Sequence, residues 1–349
     1  MLVSAVPDPP IFIFGDSTVD VGTNDYIPST ARADFPYNGI DLPYAQATGR
    51  FSNGYNSADE IAKLLGNQQS PPPFLALLRD PSIFQSRLLQ GVNFASAGSG
   101  ILDATGNKTY GDVISMAEQV QQFAAVQGNI TQLLGQNKSA ELIAKTLFVI
   151  SVGSNDIFEH YFYNETTVSQ PELMAAIKSN YADQLTALYN LGARKFGIVS
   201  APRIGCCPFA QFVNSKEGRS GCLPELNDYA QVFHSTISAL LQNLSSQLHG
   251  MIYSLGDAYA MTTYVMENPG AFGINNIDAA CCGKGYLNAQ IPCNIADSPN
   301  LCPNRSEYFF WDMYHPTQHV AQLAAVTLFT GDLSFVAPMN FSQLVQASA

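Results

Sequence analysis

The chain has 349 residues, 46% of them hydrophobic and only 13% charged, which is ample for a large folded core and too apolar for disorder. With 16 Lys and Arg against 28 Asp and Glu the net charge is −12, and no basic cluster offers a footprint for a phosphate backbone, so no nucleic-acid partner is expected. No apolar run reaches the length of a membrane-spanning helix.

In chain order, Met1–Pro7 lacks a basic region followed by an apolar stretch, so no signal peptide is expected within it. The first strand is Ile11–Phe14, and it runs straight into Gly15-Asp16-Ser17. A second, "QGVNFA", covers Gln90–Ala95, and "TLFVISV" makes Thr146–Val152 the third. Pro171–Leu191 has the pattern of a long helix stopped by Gly192, and "KFGIVS", Lys195–Ser200, follows it as the fourth strand. "GMIYSL", Gly250–Leu255, is the fifth. A last helix is expected with Pro316 in its first turn, a face of Val320, Leu323, Ala324 and Leu328, and Gly331 as its stop. Apolar strands alternating with helices describe an α/β fold with a mostly parallel five-stranded sheet covered on both faces, a three-layer α/β/α sandwich. No linker, repeat or low-complexity tract divides the chain, so one domain is expected, its core spanning about residues 9–335.

Ligands of open parallel sheets bind beyond the carboxyl ends of the strands. Polar clusters fall there three times: Gly15-Asp16-Ser17, Ser96-Ala97-Gly98-Ser99-Gly100 and Gly153-Ser154-Asn155-Asp156. Ser17 alone would read as an ordinary helix cap. A serine hydroxyl becomes a nucleophile only beside a base. Of the five histidines, His160, His234 and His249 sit in or beside helix-like or aromatic stretches and read as structural. His315 lies on a loop, in "WDMYHP", three residues after Asp312, close enough for the carboxylate to fix the imidazole tautomer. His315 and His319 have metal-like spacing but lack the glutamate of a His-Glu-x-x-His motif and a third ligand, so neither a metal nor a cofactor is expected.

Two further patterns point to an oxidising, secretory environment. Asn-x-Ser/Thr sequons occur at Asn107, Asn129, Asn137, Asn164, Asn243, Asn304 and Asn340. All 7 cysteines lie after Gly205: Cys206, Cys207, Cys222, Cys281, Cys282, Cys293 and Cys302. Without Cys-x-x-Cys or zinc-like spacings they read as three disulfides and one leftover thiol, with connectivity open.

Gly-x-Ser-x-Gly occurs nowhere in the chain, which counts against an ordinary α/β-hydrolase. The blocks that do occur, "FGDSTVDVGTND", "GVNFASAGSGIL", "VGSND" and "WDMYHP", resemble in order those of the plant-type GDSL esterase/lipases of the SGNH hydrolase family. "GRFSNG" at 49–54, "GCCP" and "CCGKG" are similar to that plant branch too. The resemblance implies a flavodoxin-like SGNH hydrolase fold and a secreted, monomeric serine esterase or lipase of the apoplast or cell wall. Ser17 would be its nucleophile, His315 its base and Asp312 the orienting carboxylate. The oxyanion donors would be the N–H groups of Ser17 and Gly98 and the Asn155 side chain. Many relatives have Ala-Ser-Gly-Gly where this chain has Ala95-Ser96-Ala97-Gly98, which makes Gly100 the alternative donor. The family's Gly-Cys-x-Pro pattern favours Cys206 as the partner of Cys222, leaving Cys207 free. Adjacent cysteines rarely reach disulfide geometry with each other, so Cys281 and Cys282 are each expected to pair with Cys293 or Cys302. Acetylated polysaccharide, acylglycerol, cutin-like polyester and phenolic ester all fit as substrates, with short or medium acyl chains expected. An acyltransferase using the same acyl-enzyme is the nearest alternative, and a carbohydrate- or lipid-binding protein with little turnover is the alternative of another class.

Overall fold

The structure, a computed structural model, describes residues 10–163, 168–293 and 298–348. Its main sheet contains β1 (Ile11–Gly15), β2 (Gly91–Asn93), β3 (Leu147–Ser151), β4 (Lys195–Val199) and β5 (Ile252–Gly256), all parallel. Two small two-stranded sheets follow: β6 (Asn276–Ala280) with β9 (Tyr308–Phe310), and β7 (Cys282–Gly283) with β8 (Asn300–Leu301). β10 (Val336–Ala337) returns to add a sixth strand to the main sheet, antiparallel to β5. Six strands therefore replace the expected five. Two residues are too few to leave an alternating pattern, so β10 has no sequence signal of its own.

Side chains alternate across a strand, and β1 shows what each face receives. Phe12 and Phe14 point into an aromatic layer with Phe94, Phe123 and Phe148, under the helices Met116–Leu134, Gln170–Asn190 and Pro224–Gln247. Ile11 and Ile13 point the other way, against Ala58 and Ile61 of the helix Ser57–Leu64 and Ala325 and Leu328 of the helix Gln318–Thr330. Both faces are buried, which is why the strands read as unbroken apolar runs.

The strand order β10-β5-β4-β3-β1-β2 places a switch of direction between β1 and β3. Crevices open at such points beyond the carboxyl ends of the strands. Gly15 ends β1 at φ 143°, and a Cβ there would lie 2.0 Å from the carbonyl oxygen of Ser151, so only glycine lets β1 and β3 close at this point.

The last helix begins two residues later than expected. Thr317 is its N-cap, and Pro316 instead forms a bridge with Phe310. Its buried residues are Val320, Ala321, Ala325 and Leu328 rather than a face through Leu323 and Ala324. The helix straddles both cores: Val320 and Leu323 meet the aromatic one, Ala325 and Leu328 the aliphatic one.

Disulfides join Cys206 to Cys222, Cys281 to Cys302 and Cys282 to Cys293, while Cys207 is free and buried. Burial pushes the Cys207 thiol up to about 12, so it carries little thiolate at neutral pH. Of the sequons, Asn107, Asn137, Asn243 and Asn304 are exposed, and Asn129 and Asn340 are half-buried. Asn164 lies outside the described residues. No helix among the described residues is long and apolar enough to cross a membrane.

Candidate active site

Ser17 follows β1 by two residues and is half-buried, with its hydroxyl 2.7 Å from His315 Nε2. The other ring nitrogen of His315, Nδ1, lies 2.9 Å from both carboxylate oxygens of Asp312. With the Nδ1 proton donated to that carboxylate, Nε2 is left to accept from the serine hydroxyl. Asp312 Oδ1 also accepts from the backbone N–H groups of Tyr314 and His315, each at 2.8 Å, so the carboxylate shapes the turn that presents the imidazole. Residues 298 positions apart in the chain thus meet in one hydrogen-bonded line.

The loop carrying Asp312 and His315 is fastened from behind. Trp311 N–H donates to the His315 carbonyl at 2.8 Å, and Trp311 Nε1 donates to Asn38 Oδ1 at 2.8 Å. The indole is fully buried in a cluster with Cys281, Cys282, Cys293 and Cys302. Cys282 N–H reaches the Trp311 carbonyl at 2.8 Å, so two disulfides buttress the histidine loop. On its front the imidazole packs against Phe51, ring centroids 4.8 Å apart. Asn53 Oδ1 accepts from Gln318 N–H, and Gln318 Oε1 accepts from Tyr55 N–H, which ties the 49–54 block to the helix after His315.

Gly98 and Asn155 line the same cavity as Ser17 and His315, a space of about 450 Å³. Gly98 has φ 83°, a conformation that favours glycine. Gly100 is not on the cavity wall, and a Cβ there would lie 2.4 Å from Asp156 Oδ1. The N–H groups of Ser17 and Gly98 take no partner among the described residues. The Asn155 amide donates one hydrogen to the Ser99 carbonyl at 2.9 Å, and its second hydrogen is available.

Buried carboxylates lock these loops together, and the sequence alone did not single out their partners. Asp20 accepts from Gly22 and Thr23 N–H with one oxygen and from Ala97 N–H with the other, joining the serine loop to the glycine loop. Asp156 accepts from Ile101 N–H, Leu102 N–H and Thr105 Oγ1, joining the glycine loop to the asparagine helix. Gln119 holds Gly15 at both N–H and carbonyl. Asp16 orders its own turn through Thr18 N–H, and burial raises its carboxyl pKa. The cue for Asp20 was a lone acid flanked by two valines, Val19 and Val21. The cue for Gln119 was a buried-face amide within a helix.

Desolvation by burial pushes Asp20 and Asp156 each up to about 6, against the hydrogen bonds that favour their charged forms. Between about pH 4 and pH 6 the folded chain then holds protons that the unfolded chain has released. The contribution of these groups to stability therefore falls as pH rises through that window and is flat outside it. Asp156→Asn removes one such group. The wild type's advantage in Tm over this variant is expected to be smallest at pH 7 and to grow as pH falls towards about 4. Thermal unfolding of both proteins across that range checks it, and a constant difference would refute it.

Three of the four remaining histidines have structural partners: His234 Nδ1 meets Ser200 Oγ at 3.1 Å, and His319 Nε2 donates to the Phe272 carbonyl at 2.8 Å. His160 Nε2 meets Tyr229 Oη at 3.2 Å. Among the described residues no group of three His, Cys, Asp or Glu side chains could hold a metal ion.

Comparison with known proteins decides the family. Residues 11–327 match the GDSL-like Lipase/Acylhydrolase family. GDSL esterase/lipase At4g16230 of Arabidopsis thaliana is 35% identical over 96% of this chain and 90% of its own length. GDSL esterase/lipase At1g71250 of the same plant is 36% identical over 96% and 88% respectively. The chain belongs to the GDSL-like lipase/acylhydrolase family. A solved structure of a catalytic mutant of Axe2, an acetylxylan esterase from Geobacillus stearothermophilus, aligns over 92% of this chain and 93% of its own, at 12% identity and a TM-score of 0.36. That likeness is too loose to bear on the site.

Proposed function

We propose that this GDSL family member is a secreted serine esterase that cleaves carboxylic esters through an acyl-Ser17 intermediate. The observation that carries the reading is the unbroken line Ser17 Oγ–His315 Nε2 and His315 Nδ1–Asp312, at 2.7 and 2.9 Å, opening on a cavity. Ser17 Oγ attacks the ester carbonyl carbon while its proton passes to His315 Nε2. The carbonyl oxygen becomes an oxyanion held by Ser17 N–H, Gly98 N–H and the Asn155 amide. Collapse expels the alcohol, which takes the proton from His315. Water then attacks the acyl carbon by the same route, giving the free acid and restoring Ser17. Asp312 keeps the imidazole in the productive tautomer and stabilises the imidazolium.

Secretion is supported by three disulfides and by sequons on exposed asparagines. A fluorophosphonate probe tests the reaction class. Stoichiometric labelling at Ser17 with loss of esterase activity is expected; absence of labelling in the folded protein would leave only a binding role. Asn155→Ala removes one of three oxyanion donors. It is expected to lower kcat by about 10²–10³-fold with KM little changed, read from steady-state kinetics.

A further inference from the structure

The loop after β4, Ala201-Pro202-Arg203, puts a half-buried arginine on the wall of the Ser17 cavity. Its backbone is pinned on both sides: Arg203 N–H donates to Thr262 Oγ1 at 3.1 Å, and its carbonyl accepts from Cys206 N–H at 2.9 Å. Cys206 is in turn bonded to Cys222, so the base of the side chain is fixed. The guanidinium, by contrast, has no hydrogen bond or ion pair among the described residues, and its Nε is buried without a partner. Arg203 Cζ lies 5.9 Å from the Tyr259 ring centroid, near the outer limit of a cation–π contact, and the ring offers no lone pair to the N–H groups.

The other charged groups on the wall are engaged: Asp16 with Thr18, Arg32 with Asp34, and Asp312 with His315. The chain carries 28 Asp and Glu against 16 Lys and Arg, so an unpaired arginine does not reflect a shortage of acids. A buried donor without an acceptor is destabilising, because it has given up water for nothing. An acceptor brought by the substrate supplies what the fold withholds. A planar guanidinium suits a carboxylate best, through two parallel N–H···O bonds. Among the described residues no lysine and no second unpaired arginine lines the cavity, which matches a carboxylate's single charge better than the near-double charge of a phosphate. In the strand order β4 lies two places from β1, so the ends of these strands stand about 10 Å apart. An extended chain covers that distance from an ester carbonyl at Ser17 in about eight bonds.

We propose that Arg203 is a substrate-recognition residue that takes a carboxylate, carried by the ester about eight bonds from its scissile carbonyl. The protein then selects esters that end in an ionised acid over neutral esters of the same length. The assignment rests on the acyl-Ser17 reading and extends it to a substrate class.

Two matched pairs of esters test it and distinguish which half of the substrate bears the charge. The p-nitrophenyl half-ester of suberic acid against its terminal amide places the charge in the acyl group. The ester 6-acetoxyhexanoate against 6-acetoxyhexanamide places it in the alcohol. In at least one pair the wild type is expected to favour carboxylate over amide by about tenfold or more in kcat/KM, chiefly through KM. Arg203→Met is expected to lower that preference by about tenfold or more, and Arg203→Lys by less, since an ammonium keeps the charge but loses the fork. Fluorophosphonate labelling and thermal unfolding are run in parallel. Should Arg203→Met show no thermal transition, the wild-type pairs and Arg203→Lys decide. A labelled wild type with no preference for carboxylate in either pair, or an unchanged preference in the folded variants, overturns the role of Arg203 and leaves the serine-esterase reading intact. Absence of both labelling and turnover of every ester overturns that reading, and the role of Arg203 with it.

Discussion

Ser17→Ala is expected to lower kcat/KM for ester hydrolysis by about 10⁴-fold or more while leaving Tm within a degree or two of wild type. The hydroxyl is half-buried at the floor of a cavity, and the hydrogen bond recorded for it goes to His315 Nε2. Its removal takes away the attacking atom but no packing, because alanine retains the Cβ and the turn is held by Asp16, not by Ser17. His315 keeps its bonds to Asp312 and its contact with Phe51. Activity measured alongside thermal unfolding separates the two effects. Wild-type turnover in the variant would show that another group attacks the ester.

Asp312→Asn is expected to cost about 10³–10⁴-fold in kcat. The amide can offer its NH₂ to His315 Nδ1, which selects the tautomer with the proton on Nε2. That nitrogen then cannot take the serine proton. The same change disturbs the turn less than it disturbs catalysis, since an amide oxygen can still accept from Tyr314 and His315 N–H. A small drop in Tm beside a large drop in kcat is therefore the expected pair of results. Near wild-type kcat in Asp312→Asn would mean that the carboxylate serves only the loop.

Much of the site was legible because its chemistry is local in sequence. Asp312 and His315 lie three residues apart, so one turn suffices to join them. Ser17, Gly98 and Asn155 each follow an apolar run, and in a parallel sheet such runs all end on one edge. The parallel strands were legible for the same reason: a strand covered on both faces is apolar throughout. Strand ends were less so, as β2 keeps only Gly91–Asn93 of a longer run, the rest turning into the glycine loop.

Composition, the order of the blocks and the placing of every cysteine after Gly205 determined the family type, the α/β class and the oxidised C-terminal part. What the chain order could not contain is which distant groups end up as neighbours. The choice of Cys281–Cys302 and Cys282–Cys293 over the crossed pairing depends on the path of β7 and β8, and those strands have two residues each. Gly98 rather than Gly100 faces the cavity because Asp156 occupies the space at Gly100. Val199, Met261, Ala321 and Ala324, from three separate parts of the chain, line one cavity. Periodicity records that a side chain is turned inward; only tertiary packing decides whether another side chain meets it or a space is left.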